Sequence, residues 1–400
     1  MRTYEKTNPW LTFHLDMWRA SPEIWLDLGE IASKCEHLSF LPLRPETAKQ
    51  LHQIYLAKGV AATTAIEGNT LSEADVRKAV EGKLTVPPSK EYLKQEVDNI
   101  IVACNGIGKA IVMDEPPQIS MEIISSFNRQ VLENLPLAED VVRGELRKHQ
   151  VVVGNVYRAP DAADCGYLLE KLCTWLQGDD FKETKGRESV SAVIKAILAH
   201  LYLVWIHPFG DGNGRTARLL EFQILLAAGI PSPAAHLLSN HYNQTRSEYY
   251  RQLDLASKSG GDIMPFLHYA VRGFVDGLHE QMNFVWEQQW DIVWQNHVHE
   301  QFQNRTHPSD IRERHLALDL GAKDDWVAVT EISELSSRLA KAYAGKTAKT
   351  VQRDINQLEK MNLITREGRK VRARREVILS FLPLQRIPQK NKSEPEKKVN

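Results

Sequence analysis

His207-Pro208-Phe209-Gly210-Asp211-Gly212-Asn213-Gly214-Arg215-Thr216-Ala217-Arg218 follows an apolar helical stretch and decides how the chain is read. Gly210, Gly212, Asn213 and Gly214 cannot continue a helix, so the backbone turns here and its N–H groups converge on one point. Such a turn is an anion cradle, and a helix restarting near Arg215 adds the positive end of its dipole. Arg215 and Arg218, three apart, share a helix face and can grip successive phosphates. Asp211 offers a hard oxygen for Mg²⁺, and His207 is a base that can take a proton near neutral pH. Together these residues describe a site for a nucleotide triphosphate with its own base.

Gly-rich turns between helices are common, but here many demanding positions fall in one window. The run resembles the signature of the Fic family, His-x-Phe-x-Asp/Glu-Gly-Asn-Gly-Arg-x-x-Arg, at every specified position. The resemblance implies that His207 deprotonates a hydroxyl of a target protein and that Asp211 holds Mg²⁺. It places the α- and β-phosphates of ATP on Asn213 and the backbone of Gly212 and Gly214, the β-phosphate on Arg215 and the γ-phosphate on Arg218. Phe209 is similar to the family's apolar anchor. The implied reaction moves AMP from ATP to a Ser, Thr or Tyr hydroxyl, including the chain's own, and releases pyrophosphate.

The 400 residues suffice for two or three domains, and a formal charge of −1 gives no global bias toward nucleic acid or membrane. Cys35, Cys104, Cys165 and Cys173 are scattered without a Cys-x-x-Cys pair and read as reduced thiols of a cytoplasmic protein. No signal peptide is expected, and no apolar run is expected to approach the ~18 residues of a membrane span. Residues 1–45, rich in aromatics and proline (Trp10, Phe13, Trp18, Trp25, Phe40, Pro42), read as an irregular arm with a short helix from Ser21-Pro22-Glu23.

Ala48, Leu51, Ile54 and Tyr55 predict an amphipathic helix over about Pro45–Ile66, ended by Gly68. Thr70-Leu71-Ser72-Glu73 reads as a capping box for the next helix. Most glutamates at helix ends are simply solvated. Beside a Fic signature, however, Thr63 to Gly68 resembles the family's inhibitory motif, Ser/Thr-x-x-x-Glu-Gly/Asn. That resemblance implies an ion pair between Glu67 and Arg218 that removes the γ-phosphate clamp.

Further helices are expected across 72–112, with a break at Pro87-Pro88 and a solvated loop from Lys83 to Lys90, then from Ser120 or Met121 to Leu132. Val151-Val152-Val153, Gly154-Asn155 and Val156-Tyr157 give a β-hairpin signal whose edge can recruit a target segment as an added strand; the segment resembles the Fic flap. Leu168–Leu176, Ser189–Ile206 and Thr216–Ala228 read as helices, as does Asp262–Trp290. By resemblance, Asn243, Tyr249 and Tyr250 line the adenine pocket, although adjacent aromatics usually mean core plus surface.

The last part differs. Thr330–Leu339 and Thr347–Leu363 read as helices joined at Tyr343–Lys346. The second carries Val351, Ile355, Leu358 and Met361 inward and Lys349, Gln352 and Arg353 outward, and Ile364–Arg375 reads as a basic hairpin around Gly368. This resembles a winged helix-turn-helix domain, which implies DNA or, equally, a docking or dimerisation role.

The expected architecture is mostly α: a Fic helical bundle with a small β-hairpin flap and a C-terminal winged-helix domain. The parts are 1–112 with the inhibitory motif, 113–290 the catalytic core, 291–325 linker helices, 326–386 the winged helix and 387–400 a disordered tail. The expected activity is auto-inhibited protein adenylyl transfer, with ATP as substrate, Mg²⁺ as cofactor, a protein hydroxyl as acceptor, DNA or a second copy as further partners, and no membrane. Two alternatives stay open: a DNA-binding regulator whose nucleotide site is a sensor, and an enzyme that also removes AMP.

Overall fold

The computed structural model describes residues 2–41, 43–113, 118–154, 157–182, 185–323 and 325–378. The expected tail, Asn155 and Val156 of the hairpin, and Pro42 of the arm lie outside them. Contacts divide the chain into two compact units, Met1–Met282 and Asn283–Asn400.

In the first unit the chain runs through α1 (Tyr4–Thr7), α2 (Pro22–Phe40), α3 (Pro45–Ile66), α4 (Glu73–Val80), α5 (Glu91–Val112) and α6 (Met121–Val131). The hairpin strands β1 (Val152–Val153) and β2 (Tyr157–Arg158) come next, paired antiparallel with Val153 opposite Tyr157. Then follow α7 (Cys165–Leu176), α8 (Glu188–Ile206), α9 (Asn213–Ala227), α10 (Ser232–Ala235), α11 (Leu237–Gln244), α12 (Arg246–Lys258) and the start of α13 (Met264–Gln301).

The centre is α8 packed on α9. Ile197, Leu198, Leu201 and Leu203 of α8 are fully buried together with Leu220 and Leu225 of α9, each large side chain removing about 1.5–3 kcal/mol of exposure cost. Contrary to expectation, α8 is long and apolar enough to cross a membrane, with mean hydropathy 1.8 over its window. The reason is its place: 72% of that window is buried, and a helix covered by neighbours on every side needs no polar face.

Three local readings change. α2 is not short: Ile24, Leu28, Ile31 and Cys35 recur on one face and are buried, so the helix continues to Phe40. The cap of α4 is Ser72, whose hydroxyl accepts from the Asp75 N–H, rather than Thr70; the buried amide of Asn69, which donates to the Leu93 carbonyl (2.9 Å), holds the preceding turn. Within the Lys83–Lys90 loop, Leu84 is buried and Pro88–Lys90 forms a 3₁₀ turn. All four cysteines are buried and unpaired.

The second unit begins with the end of α13, which runs eleven residues past the expected Trp290. It continues with α14 (Pro308–Gly321), β3 (Val327–Ala328), α15 (Ser337–Tyr343), α16 (Ala348–Lys360), β4 (Ile364–Glu367) and β5 (Lys370–Ala373). The sheet order is β3-β5-β4, so the expected hairpin gains a third strand. The first half of the helix expected over Thr330–Leu339 lies instead in a 3₁₀ stretch, Val329–Glu334, and Ser336 caps a new helix by accepting from the Leu339 N–H. Trp294, Leu316, Ile355, Leu358 and Val371 form a separate core. Asp354, fully buried on α16, is held by Arg312 at 2.5 and 3.0 Å and by the Tyr343 hydroxyl at 3.1 Å.

Candidate active site

α8 ends where His207 takes the left-handed conformation (φ 48°, ψ 59°) while its N–H still donates to Leu203 (2.9 Å). That backbone is uncommon outside glycine and costs about 1 kcal/mol or more, so it needs support. Arg147 supplies it: Nε donates to the His207 carbonyl (2.8 Å), its backbone N–H to that of Pro208 (2.9 Å), and its Nη groups to those of His149 and Pro160 (2.7 and 2.6 Å). Phe209 is fully buried, as the anchor reading expected. Gly212 turns the chain at φ +75° and α9 begins at Asn213, two residues before the restart expected from the sequence.

The Asn213 side chain does not face an open cradle. Its Oδ1 accepts from the Phe209 N–H (2.9 Å) and its Nδ2 donates to the Phe209 carbonyl (2.8 Å), so the amide staples the loop. Asn128, fully buried on α6, adds a second staple by donating to the Asp211 carbonyl (2.9 Å) and accepting from the Gly144 N–H (2.9 Å). Neither Asn128 nor Arg147 carries a motif that would have singled it out; both are ordinary polar residues whose role comes only from tertiary placement.

The imidazole of His207 sits with Nδ1 3.3 Å from the Val204 carbonyl. A carbonyl only accepts, so this contact puts the proton on Nδ1 and leaves the Nε2 lone pair available. Burial pushes the ring down to about 4, so it is neutral at physiological pH.

Glu67 is the C-cap of α3, and its Oε1 lies 2.5 Å from Nη2 of the buried Arg218. Thr63 completes the grip, its hydroxyl accepting from Arg218 Nε (2.5 Å) and its carbonyl from Nη2 (3.0 Å). The carboxylate also lies against Gly214, where an added Cβ would come within 2.2 Å of Oε1. Burial alone would raise the Glu67 carboxyl, but Arg218, with Arg215 and His207 beyond it, holds it below the usual carboxylate range. Arg215 points to other acids: Nη1 is 3.0 Å from Glu96 Oε1 and Nη2 is 3.3 Å from Asp211 Oδ1.

A cavity of about 660 Å³ gathers His207, Glu67, Gly214, Arg218, Val153, Gly154, Tyr249 and Tyr250 on one wall system. Gly212, Asn213, Arg215, Asp211, Asn243, Val151 and Val152 do not line it. The Val152 side chain is exposed, and Val151 contributes only its carbonyl, which accepts from the Ala159 N–H (3.2 Å). Tyr249 is mainly a core residue: its hydroxyl is 2.8 Å from Nε2 of the buried His200 and its ring stacks on Tyr242. The wall also includes Ser247, Arg251 and Asp254, unforeseen although with Tyr250 they form one helical stripe of α12.

Among the described residues no group of three or more His, Cys, Asp or Glu is placed to hold a metal. Asp211 offers a half-exposed carboxylate whose Oδ1 is taken by Gly212 and Arg215. A single carboxylate fits Mg²⁺, which keeps waters and takes its other ligands from substrate phosphates.

Residues 118–225 match the sequence profile of the Fic/DOC family. The chain is 34% identical over 210 residues to the protein adenylyltransferase fic-1 of Caenorhabditis briggsae and 33% identical over 207 residues to protein adenylyltransferase Fic of Drosophila ananassae. Each match takes in 52% of this chain but only 38% of the relative, so the chain spans well under half the length of these curated proteins. A Fic family protein from Desulfovibrio desulfuricans G20 superposes with a TM-score of 0.55 at 20% identity, covering 90% of this chain and 98% of that one, a likeness of fold. A Fic-1 segment from C. elegans gives 0.53 at 26% identity, covering 66% and 73%. The chain therefore carries a Fic/DOC-family domain at residues 118–225.

Proposed function

We propose that the chain is a protein adenylyltransferase restrained by its own Glu67. The observation that carries this is the meeting, in one cavity, of a neutral His207 with a free Nε2 and an Arg218 already occupied by Glu67. The names of the relatives, protein adenylyltransferases, support the same chemistry.

In the reaction, the oxygen of a target Ser, Thr or Tyr attacks the α-phosphorus of ATP. Its proton passes to His207 Nε2, and the bond from that phosphorus to the β-bridging oxygen breaks, releasing pyrophosphate. The first N–H groups of α9 and, once Glu67 has left it, Arg218 neutralise phosphate charge and hold the chain of phosphates in line, which is where most of the acceleration arises in such transfers. Arg215 contributes at the phosphates only if it exchanges Glu96 and Asp211 for them. When bound at Asp211, Mg²⁺ supplies further charge neutralisation on the phosphates. With Glu67 in place Arg218 cannot clamp the γ-phosphate. The edge of β1 is offered to the target chain by strand addition.

Incubation with ATP labelled on the α-phosphate tests this. Glu67→Gly raises labelling of the protein by tenfold or more, about 1.4 kcal/mol or above, His207→Ala abolishes it, and Arg218→Ala lowers it. Glu67→Gly no faster than the parent at saturating ATP and Mg²⁺ defeats the inhibitory reading. Bound ATP with no label transferred favours a nucleotide sensor, and loss of label from pre-modified protein favours AMP removal.

A second reading concerns the second unit, whose helices and three-stranded sheet we read as a winged helix that binds duplex DNA. Residues 326–378 carry twelve Lys and Arg against six Asp and Glu in a chain whose overall charge is −1. Lys349 and Arg353 on α16 and Arg366, Arg369 and Lys370 at the hairpin tip are exposed, while Asp354 is buried and spent on Arg312. Such local positive charge is the footprint of phosphate recognition. With five such contacts, log affinity for a labelled duplex falls against log salt with a slope of about −4 to −5, and Lys349→Glu with Arg353→Glu flattens it. No binding at about 50 mM salt assigns the unit to protein docking instead.

A further inference from the structure

We propose that Arg246 is the positioning residue that keeps Glu67 on Arg218, acting as a latch on the last turn of α3; this rests on the inhibitory reading above. A helix leaves its final carbonyls without partners, and its negative end attracts cations. Arg246, the first residue of α12, fills that role for α3: Nη2 donates to the Ile66 carbonyl (2.7 Å) and Nη1 to that of Ala65 (3.3 Å). Tyr250, one turn on, donates its hydroxyl to the same Ile66 carbonyl (3.4 Å), and the Arg246 guanidinium stands 5.9 Å from the centre of its ring.

Glu67 follows directly. Its N–H donates to Thr64 (3.1 Å), that of Gly68 to Ala65 (2.9 Å) and that of Asn69 to Thr64 (3.1 Å), so the backbone that aims the carboxylate is the turn whose carbonyls Arg246 holds. Beyond it, Gly68 at φ +99° gives the chain a pivot with nothing within 4 Å of its missing Cβ. The turn itself is held from both sides, by Arg246 at its carbonyls and beyond Gly68 by the buried Asn69, whose amide donates to the Leu93 carbonyl (2.9 Å) and to Glu96 (2.8 Å); Arg246 is the exposed one of the two anchors. Arg246 is exposed and does not itself line the nucleotide cavity, so substituting it removes none of the groups that form the cavity wall.

The test uses the full chain. Self-labelling from α-labelled ATP is measured for the parent, Arg246→Ala, Arg246→Lys, Glu67→Gly and the Arg246→Ala/Glu67→Gly pair, with hydrogen exchange of the amides of residues 67–69. Arg246→Ala is expected to raise labelling by about twofold to tenfold, to speed exchange at those amides, and to add nothing in the Glu67→Gly background. Arg246→Lys, still a cation at the helix end, stays near the parent. A gain of activity is not what general damage produces, so this readout separates the latch from a merely structural contact. If Glu67→Gly is fast while Arg246→Ala changes neither labelling nor exchange, the latch is wrong and inhibition by Glu67 survives. If Glu67→Gly is itself no faster, the inhibitory reading falls and the latch with it. If Arg246→Ala speeds labelling equally with and without Glu67, it acts elsewhere and the latch is again wrong.

Discussion

His207 shows how much a single side chain can reveal before any fold is known, and where that legibility stops. Its chemistry was readable from its place in the signature, but its proton was not: the Val204 carbonyl settles the tautomer and burial sets the charge. With the ring pushed down by burial to about 4, and the Glu67 charge that raises it removed, the acid limb of kcat/KM for Glu67→Gly lies at or below about pH 4; a limb near the ordinary 6.5 contradicts it. Stability moves the same way. His207 and the buried His236, pushed down to about 3, both bind protons more weakly folded than unfolded. Their contribution is complete above about pH 6.5 and is lost as pH falls toward 4 and then 3, which unfolding measured across that window detects. Asn213 and Arg215 mark the limit of residue-level reading. Both match the signature, but an amide can satisfy a backbone as easily as a phosphate, and a guanidinium takes whichever carboxylate is near. Only the packed loop shows that Asn213 staples Phe209 and that Arg215 faces Glu96 and Asp211.

At the scale of the element, α3 was legible to its boundaries because Pro45 and Gly68 bracket an apolar repeat. α2 was not, since its aromatic and polar residues hide a stripe of only four buried apolar side chains, and the start of α9 was missed because helix can begin on the glycine-rich turn itself. What periodicity cannot convey is how closely helices approach. Gly59 lies mid-helix in α3 directly on His236, whose ring would sit 2.3 Å from an added Cβ. Substituting alanine improves helix propensity by up to about 1 kcal/mol, but the clash meets a ring stacked on Phe222 that cannot retreat. Gly59→Ala is therefore expected to lower stability by about 1–3 kcal/mol, seen as a reduced Tm; a raised Tm means that α3 has room to move.

For the molecule as a whole, charge is the informative pattern. A total charge of only −1 conceals a basic second unit, visible in the sequence as the run from Arg366 to Arg375. The third strand β3 escaped notice because two residues leave no alternation to detect. The unit's own core predicts its own failure: Asp354→Ala strands the buried Arg312 and costs about 3–5 kcal/mol. Hydrogen exchange should rise across α14 to β5 while the amides of α8 and α9 keep their protection. The order of parts along the chain has a last consequence. Glu67 lies well ahead of His207, and ribosomes deliver chain at about 5–20 residues per second, so α3 is synthesised before the cradle it covers exists. On the inhibitory reading, the newborn protein passes through no unguarded interval, and an internally initiated product beginning after Asn69 would modify its surroundings from the moment it folds.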